Sequence, residues 1–149
     1  IKSKIVMKKV IVVSGYFNPI HKGHIELFNR AKEYGDELWV IVNNDIQREL
    51  KGSKKFMKED ERLLIVSSLS VVDFSIVSID EDSTVSESLR YLNSKVLTSD
   101  PKGKMVFANG GDQTNESIPE SKICDMLSIE LIDGIGNKIQ SSSWLINDD

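Results

Sequence analysis

Short apolar, β-branched runs alternate with helix-like stretches along almost the whole chain, and this alternation constrains the fold more than any other feature. Val10-Ile11-Val12-Val13-Ser14 and Leu38-Trp39-Val40-Ile41-Val42 are nearly continuous apolar runs. Such runs suit strands buried on both faces of a parallel sheet. Further strands are expected at Asp73 to Ile79, Lys104 to Ala108 and Ile129 to Ile132. Between them, Gly23 to Tyr34 sets Ile25, Leu27, Phe28 and Ala31 along one helical stripe, with Gly35 as its stop. Lys58 to Leu69 is a second helix, offering Leu63, Leu64, Val66 and Leu69 to a core. Thr84-x-x-Glu87 reads as a capping box for a helix ending near Leu92. Pro119 suits the first turn of a helix reaching Leu127, and Ser141 opens a last, short one. Asn43 to Met57 is polar and basic without a period, so it is expected to be a long loop; Asn109 to Ser117 and Gly134 to Ile139 are also expected as loops. Repeated strand–helix–strand units imply right-handed crossovers and a doubly wound α/β sheet covered on both faces. Ligands of such sheets bind at the carboxyl ends of the strands.

The chain's 149 residues fit one domain, taken as 1–149, in which residues 1–6 before Met7 read as leader or appended sequence. A net charge of -4 disfavours nucleic acid or an anionic membrane as partner, so any anion must be held locally. No apolar run approaches the roughly 18 residues needed to span a bilayer. The one cysteine, Cys124, rules out a disulfide within the chain and suits a reducing, cytoplasmic setting. Its neighbours read as a packed helix, so it is expected to be buried and inert.

The residues that carry chemistry collect at the expected carboxyl edge. Gly15-Tyr16-Phe17-Asn18-Pro19-Ile20-His21-Lys22-Gly23-His24 follows the first strand and opens the first helix. A helix start offers unpaired N–H groups and the positive end of the dipole to an anion. His21 and His24 lie on one face of a helical turn and can donate to phosphate oxygens, while Gly23 permits close approach to the backbone. No other histidine occurs in the chain, and the element holds no Asp, Glu or Cys. A phosphate site is therefore favoured over a metal site built from protein ligands.

Three further clusters belong to the same reading. Six basic and four acidic residues lie between positions 48 and 62. Of these, Lys51, in Lys51-Gly52-Ser53-Lys54, is expected on a mobile loop that closes over a triphosphate. Lys54 or Lys55 could share that role or form a solvated face, and Arg62 could be a surface salt bridge or a site residue. Ser141-Ser142-Ser143 supplies one N-cap and spare donors for a second phosphate cradle. Asn109-Gly110-Gly111-Asp112 is either a plain turn or a close approach to an acceptor.

Taken together, G-x-F-N-P-x-H-x-G-H after a strand, a basic segment, an E-R-x-x-x-V-x-S-L helix and a late S-S-S resemble the cytidylyltransferase-like nucleotidyltransferases from about Lys8 to Ile146. The small bacterial members acting on glycerol 3-phosphate or heptose phosphate are the most similar. The resemblance implies a Rossmann-like five-stranded parallel sheet of order 3-2-1-4-5. It implies Mg²⁺ carried by the nucleoside triphosphate, CTP or ATP, with no protein ligands to the metal. It implies in-line attack of an acceptor phosphate on the α-phosphorus and loss of pyrophosphate. His21, His24, Lys51 and Arg62 take the catalytic roles in that family pattern. Gly15, Tyr16, Phe17, Asn18, Gly23, Gly134, Lys138, Ser141, Ser142 and Ser143 face the nucleotide, and Lys54, Gly110, Gly111 and Asp112 the acceptor. A homodimer is implied as well. Asn18 stands where many cytidylyltransferases carry Asp, and Gly136-Asn137-Lys138 replaces the arginine that often precedes the serine run. Both departures bear on the base. An adenylyltransferase of the pantetheine-phosphate or nicotinamide-mononucleotide type is the first alternative, and a non-catalytic nucleotide sensor the second. A class I aminoacyl-tRNA synthetase fragment fits the length and acidic balance poorly. Gln113, Thr114, Asn115 and Glu116 suit a sugar phosphate, an amino-alcohol phosphate or a nucleotide equally.

Overall fold

The computed structural model describes residues 8–110 and 118–135. In chain order the elements are β1 (Lys9–Gly15), α1 (Lys22–Lys32), β2 (Glu37–Val42), α2 (Asp45–Lys51), α3 (Glu59–Ser67), β3 (Phe74–Val77), α4 (Ser86–Ser99), β4 (Lys104–Gly110), α5 (Ser121–Leu127) and β5 (Glu130–Ile135). The five strands form one sheet in the order β3-β2-β1-β4-β5, every neighbouring pair parallel. Fold class and strand order are those expected.

Because strand side chains alternate between faces, a continuous apolar run must find a core on each side. Val10 and Val12 join Trp39, Ile41, Met105 and Phe107 under α4 and α5, where Leu89, Leu92, Val96, Ile123 and Cys124 close one core. Ile11 and Val13 join Leu38, Val40, Val42 and Val106 under α1 and α3, with Phe28, Ala31 and Val66 closing the other. Val10 to Val13 are all fully buried. Each such side chain contributes about 1.5–3 kcal/mol by leaving water, which is why β1 is central.

Several local expectations are corrected. The segment read as a loop from Asn43 to Met57 contains α2, a two-turn helix with a reciprocal cap. Asn44 Oδ1 accepts from the Gln47 N–H at 2.8 Å, and Gln47 Oε1 accepts from the Asn44 N–H at 3.0 Å. Helix α4 starts at Ser86 and runs on to Ser99, and Thr84 does not cap it in the expected way. The carboxylate of Asp80, six residues upstream of the helix, accepts from the Glu87 and Ser88 N–H groups at 2.7 and 2.9 Å. Leu64, expected in the core, is 65% exposed. Gly134, expected in a loop, lies within β5. The helix expected at Ser141 lies outside the described residues.

The parallel pairing of β1 with β2 extends to Gly15↔Val42, whereas β1 pairs with β4 from Lys9↔Lys104 to Val12↔Phe107. On the β1 side the chain crosses through α1 to β2, and on the β4 side it arrives from β3 through α4. The carboxyl ends of β1 and β4 are thus the topological switch point, where open α/β sheets bind ligands.

Candidate active site

The turn leaving β1 is shaped by one aromatic ring. Phe17 sits in the left-handed region at φ 52° and is buried. Its ring makes edge contacts with Phe28 at 5.5 Å and with His24 at 5.0 Å between centroids. Gly15 is required beneath it, because a Cβ there would lie 2.8 Å from the Phe17 ring. The Asn18–Pro19 peptide is cis. The chain then enters α1 with His21 as N-cap.

The two histidines form the cap themselves. His21 Nδ1 accepts from the Gly23 N–H at 3.1 Å, and His24 Nδ1 accepts from the His21 N–H at 3.0 Å. The rings lie 3.9 Å apart with a 32° tilt. An imidazole whose Nδ1 accepts must carry its proton on Nε2. Both rings are therefore held as neutral donors. Burial, then the neighbouring His21, pushes the His24 pKa down to about 4. Of the backbone N–H groups expected to meet the anion, those of His21 and Gly23 are satisfied instead by imidazole nitrogens. The two Nε2–H groups are left as donors.

Behind this turn stands Arg62, on α3 and 1% exposed. Its Nε donates to Met57 O at 3.1 Å, Nη1 to Tyr16 O at 2.8 Å and to Asn43 O at 2.6 Å, and Nη2 to Asp45 Oδ1 at 2.8 Å. A surface salt bridge is excluded by that burial. The guanidinium instead ties together the ends of β1 and β2, the start of α2 and the segment before α3. Burial alone would raise the Asp45 carboxyl, but the Arg62 hydrogen bond, the Glu59 N–H and the charges of Arg62 and Arg48 outweigh it and hold the pKa below its ordinary value. Arg48, also buried, donates from Nη1 to Ser53 O at 2.8 Å.

The side chain of Asn18, expected at the nucleotide, bonds the backbone of the segment after α2. Its Nδ2 donates to Lys54 O at 2.9 Å and its Oδ1 accepts from the Met57 N–H at 2.9 Å, clamping the segment after α2 to the β1–α1 turn. Lys51, expected on a mobile loop, is the last residue of α2. Its Nζ lies 4.4 Å from the centroid of the Tyr16 ring. Lys54 and Lys55 are exposed beyond the Gly52 C-cap.

At the other side of the switch point, Gly110 ends β4 and pairs with Ile135, so Gly134 on β5 is its close neighbour. Gly111, Asp112, Lys138, Ser141, Ser142 and Ser143 lie outside the described residues. Cys124 is fully buried, and burial, then the nearby Glu120, pushes its pKa up to about 12. Its burial is as expected. Among the described residues no group of three His, Cys, Asp or Glu side chains is placed to hold a metal ion.

Sequence reasoning missed a buried polar hub at the end of β2. Gln47 is fully buried; its Nε2 donates to Asp82 O at 2.9 Å and Thr84 O at 2.7 Å. Asn44 Nδ2 donates to Ser78 O at 3.0 Å and Asp80 O at 2.7 Å. The Asn44-x-x-Gln47 spacing is a capping-box signature and could have revealed it.

A family model described as cytidylyltransferase-like matches residues 12–132. The chain belongs to the cytidylyltransferase-like family. The bifunctional protein HldE of Geobacter metallireducens is 35% identical over 113 residues, covering 74% of this chain and 21% of that protein. The protein of the same name from Campylobacter concisus is 31% identical over 146 residues, covering 95% of this chain and 29% of that protein. The chain thus spans well under a third of the length of these relatives. Among solved structures, the lipopolysaccharide core biosynthesis protein from Thermoplasma volcanium superposes with a TM-score of 0.64 at 23% identity, over 85% of this chain and 95% of that one, and shares the fold. The stretch matched to the cytidylyltransferase-like family includes the whole His21 to His24 element and Lys51, Arg62 and Gly110. Lys138 and the serine run fall beyond it.

Proposed function

We propose that this chain is a nucleotidyltransferase that moves a CMP or AMP group from a nucleoside triphosphate to the phosphate of a small sugar, polyol or amino alcohol. A phosphate oxygen of the acceptor attacks the α-phosphorus, the bond from that phosphorus to the bridging oxygen of the β-phosphate breaks, and pyrophosphate leaves. The observation that carries this reading is the pair of Nε2–H donors held at the start of α1, beside the switch point. Their Nδ1 atoms are already bonded, so the donors are aimed before the ligand arrives.

Neutral imidazoles suit this role. With Nδ1 already bonded, each offers one fixed Nε2–H donor to a phosphate oxygen. Lys51 adds the positive charge that the histidines lack. Arg62, with its donors engaged by Tyr16, Asn43, Met57 and Asp45, supports the turn from behind. Mg²⁺ in this reading enters on the triphosphate and neutralises its phosphates. A single buried thiol is consistent with a cytoplasmic setting.

The test is pyrophosphate release with CTP and with ATP against a panel of sugar, polyol and amino-alcohol phosphates. One pairing should turn over, and His24→Ala should lower its kcat/KM by about 10²–10³, the usual cost of losing a transition-state donor. A chain that binds the triphosphate but releases no pyrophosphate with any acceptor would be a nucleotide sensor instead.

A further inference from the structure

We infer that Tyr16 is a positioning residue for Lys51: its ring seats the lysine ammonium at the carboxyl edge of the sheet, ready to meet a polyphosphate. The inference rests on the reading of this edge as a triphosphate site.

Lys51 has two reasons to be poorly placed. It is the last residue of a two-turn helix and is exposed. Its side chain has four rotatable bonds and loses much rotamer freedom when fixed. A lysine in that position would ordinarily sample solvent. Here its Nζ sits 4.4 Å above the Tyr16 ring, inside cation–π range.

The ring is itself held at both ends. Arg62 Nη1 donates to the Tyr16 carbonyl at 2.8 Å, fixing the backbone from below. The Tyr16 hydroxyl reaches Gln47 O at 3.4 Å, on the helix that carries Lys51 four residues later. A carbonyl has two lone pairs, so Gln47 O can accept this donor beside its helical one. The platform therefore bridges the β1 turn and the last turn of α2. Tyr16 is also the residue next to Phe17, whose ring touches His24. One dipeptide thus supports both the lysine and a histidine.

An exposed cation–π contact is worth about two- to fivefold in an equilibrium constant. Holding the ammonium before the ligand arrives lowers the ordering cost of binding.

The experiment is calorimetric titration of the full chain with inorganic tripolyphosphate, which needs no base or acceptor. Lys51→Ala should weaken binding about tenfold or more, as loss of a charge-assisted contact does. Tyr16→Leu, which removes the ring, should weaken it about two- to fivefold. Tyr16→Phe, which keeps the ring and loses only the long hydroxyl contact to Gln47 O, should weaken it less than Tyr16→Leu does. The Tyr16→Leu/Lys51→Ala double variant should bind no worse than Lys51→Ala alone, because the ring then has nothing to seat. Combined with His24→Ala, Tyr16→Leu should be additive, which general damage to the turn would not give. Tyr16→Leu binding like wild type, full additivity with Lys51→Ala, or Tyr16→Phe as weak as Tyr16→Leu would each overturn the inference alone. No binding by wild type, or no loss with His24→Ala, would remove the triphosphate reading and this inference with it.

Discussion

Two imidazoles 3.9 Å apart would repel strongly if both were charged, and the helix start they cap already carries positive dipole charge. The structure resolves this by giving each Nδ1 a backbone donor, which leaves the neutral Nε2–H form. Nitrogen chemical shifts should therefore report the Nε2–H tautomer for both rings, with His24 titrating near pH 4. Tripolyphosphate should raise that value, since a nearby anion favours the protonated form. A proton on Nδ1 of His24, or titration near the ordinary histidine value, would contradict the geometry. Arg62 invites a second test. Lysine keeps the charge but not the planar fork, so Arg62→Lys leaves buried carbonyls of Tyr16, Asn43 or Met57 without donors. A loss of about 2–4 kcal/mol in urea unfolding is expected. The histidine pair was legible in the sequence because both copies fall in one short element. The burial of Arg62 was not, because Glu59-Asp60-Glu61-Arg62 reads as a solvated helix start. Only the distant carbonyls of Tyr16 and Asn43 draw the guanidinium inward.

At the scale of elements, helix α2 shows where periodicity fails. Seven residues make two turns, too few to display a stripe, and Ile46 and Leu50 on them are exposed. The helix is specified instead by its ends, Asn44 and Gln47 at the start and Gly52 at the finish. Gly52 adopts φ 81° as the C-cap, and its N–H bonds to the Arg48 and Glu49 carbonyls. Nothing lies within 4 Å of a Cβ placed there, so the cost of substitution is conformational rather than steric. Gly52→Ala should cost about 1 kcal/mol, and Gly52→Asn less, because Asn tolerates the left-handed region better. Equilibrium unfolding measures both. If the two substitutions cost the same, the cap geometry is not what sets the end of α2. The start of α4 was misread for a related reason. Its capping carboxylate, Asp80, stands six residues ahead of the helix in the same connection, and spacing rules see only the nearer Thr84.

For the whole molecule, the alternation of strand-like and helix-like segments was sufficient for a parallel, doubly wound sheet, its strand order came with the family resemblance, and the structure adds the switch point that turns a sheet into a site. The site also couples to global stability through its protons. His24 has a pKa near 4 in the fold, below the value of an exposed histidine. The unfolded chain therefore binds more protons than the folded one at intermediate pH, and stability rises with pH there. The contribution is fully present above about pH 6.5, the unfolded value, and is lost as pH falls toward 4. Asp45, Asp82 and Asp100 are also held below their ordinary values, but they act in the same direction only below the carboxylate range. Glu120 acts oppositely: burial, against the Val85 N–H bond, raises its pKa, so its contribution is present below the unfolded value and lost as pH rises through the folded one. Between about pH 4 and 6.5 the histidine makes stability rise with pH, and Glu120 opposes it. Asparagine at position 24 places an acceptor near the former Nδ1 and does not titrate. As pH drops across that window, wild type should lose melting temperature relative to His24→Asn, because Glu120 acts alike in both proteins. Bound tripolyphosphate, by raising the His24 pKa, should flatten the wild-type curve as well and take up a proton on binding. Parallel curves for the two proteins would mean that His24 is not held neutral by the fold, and the preformed donor pair would lose its physical basis.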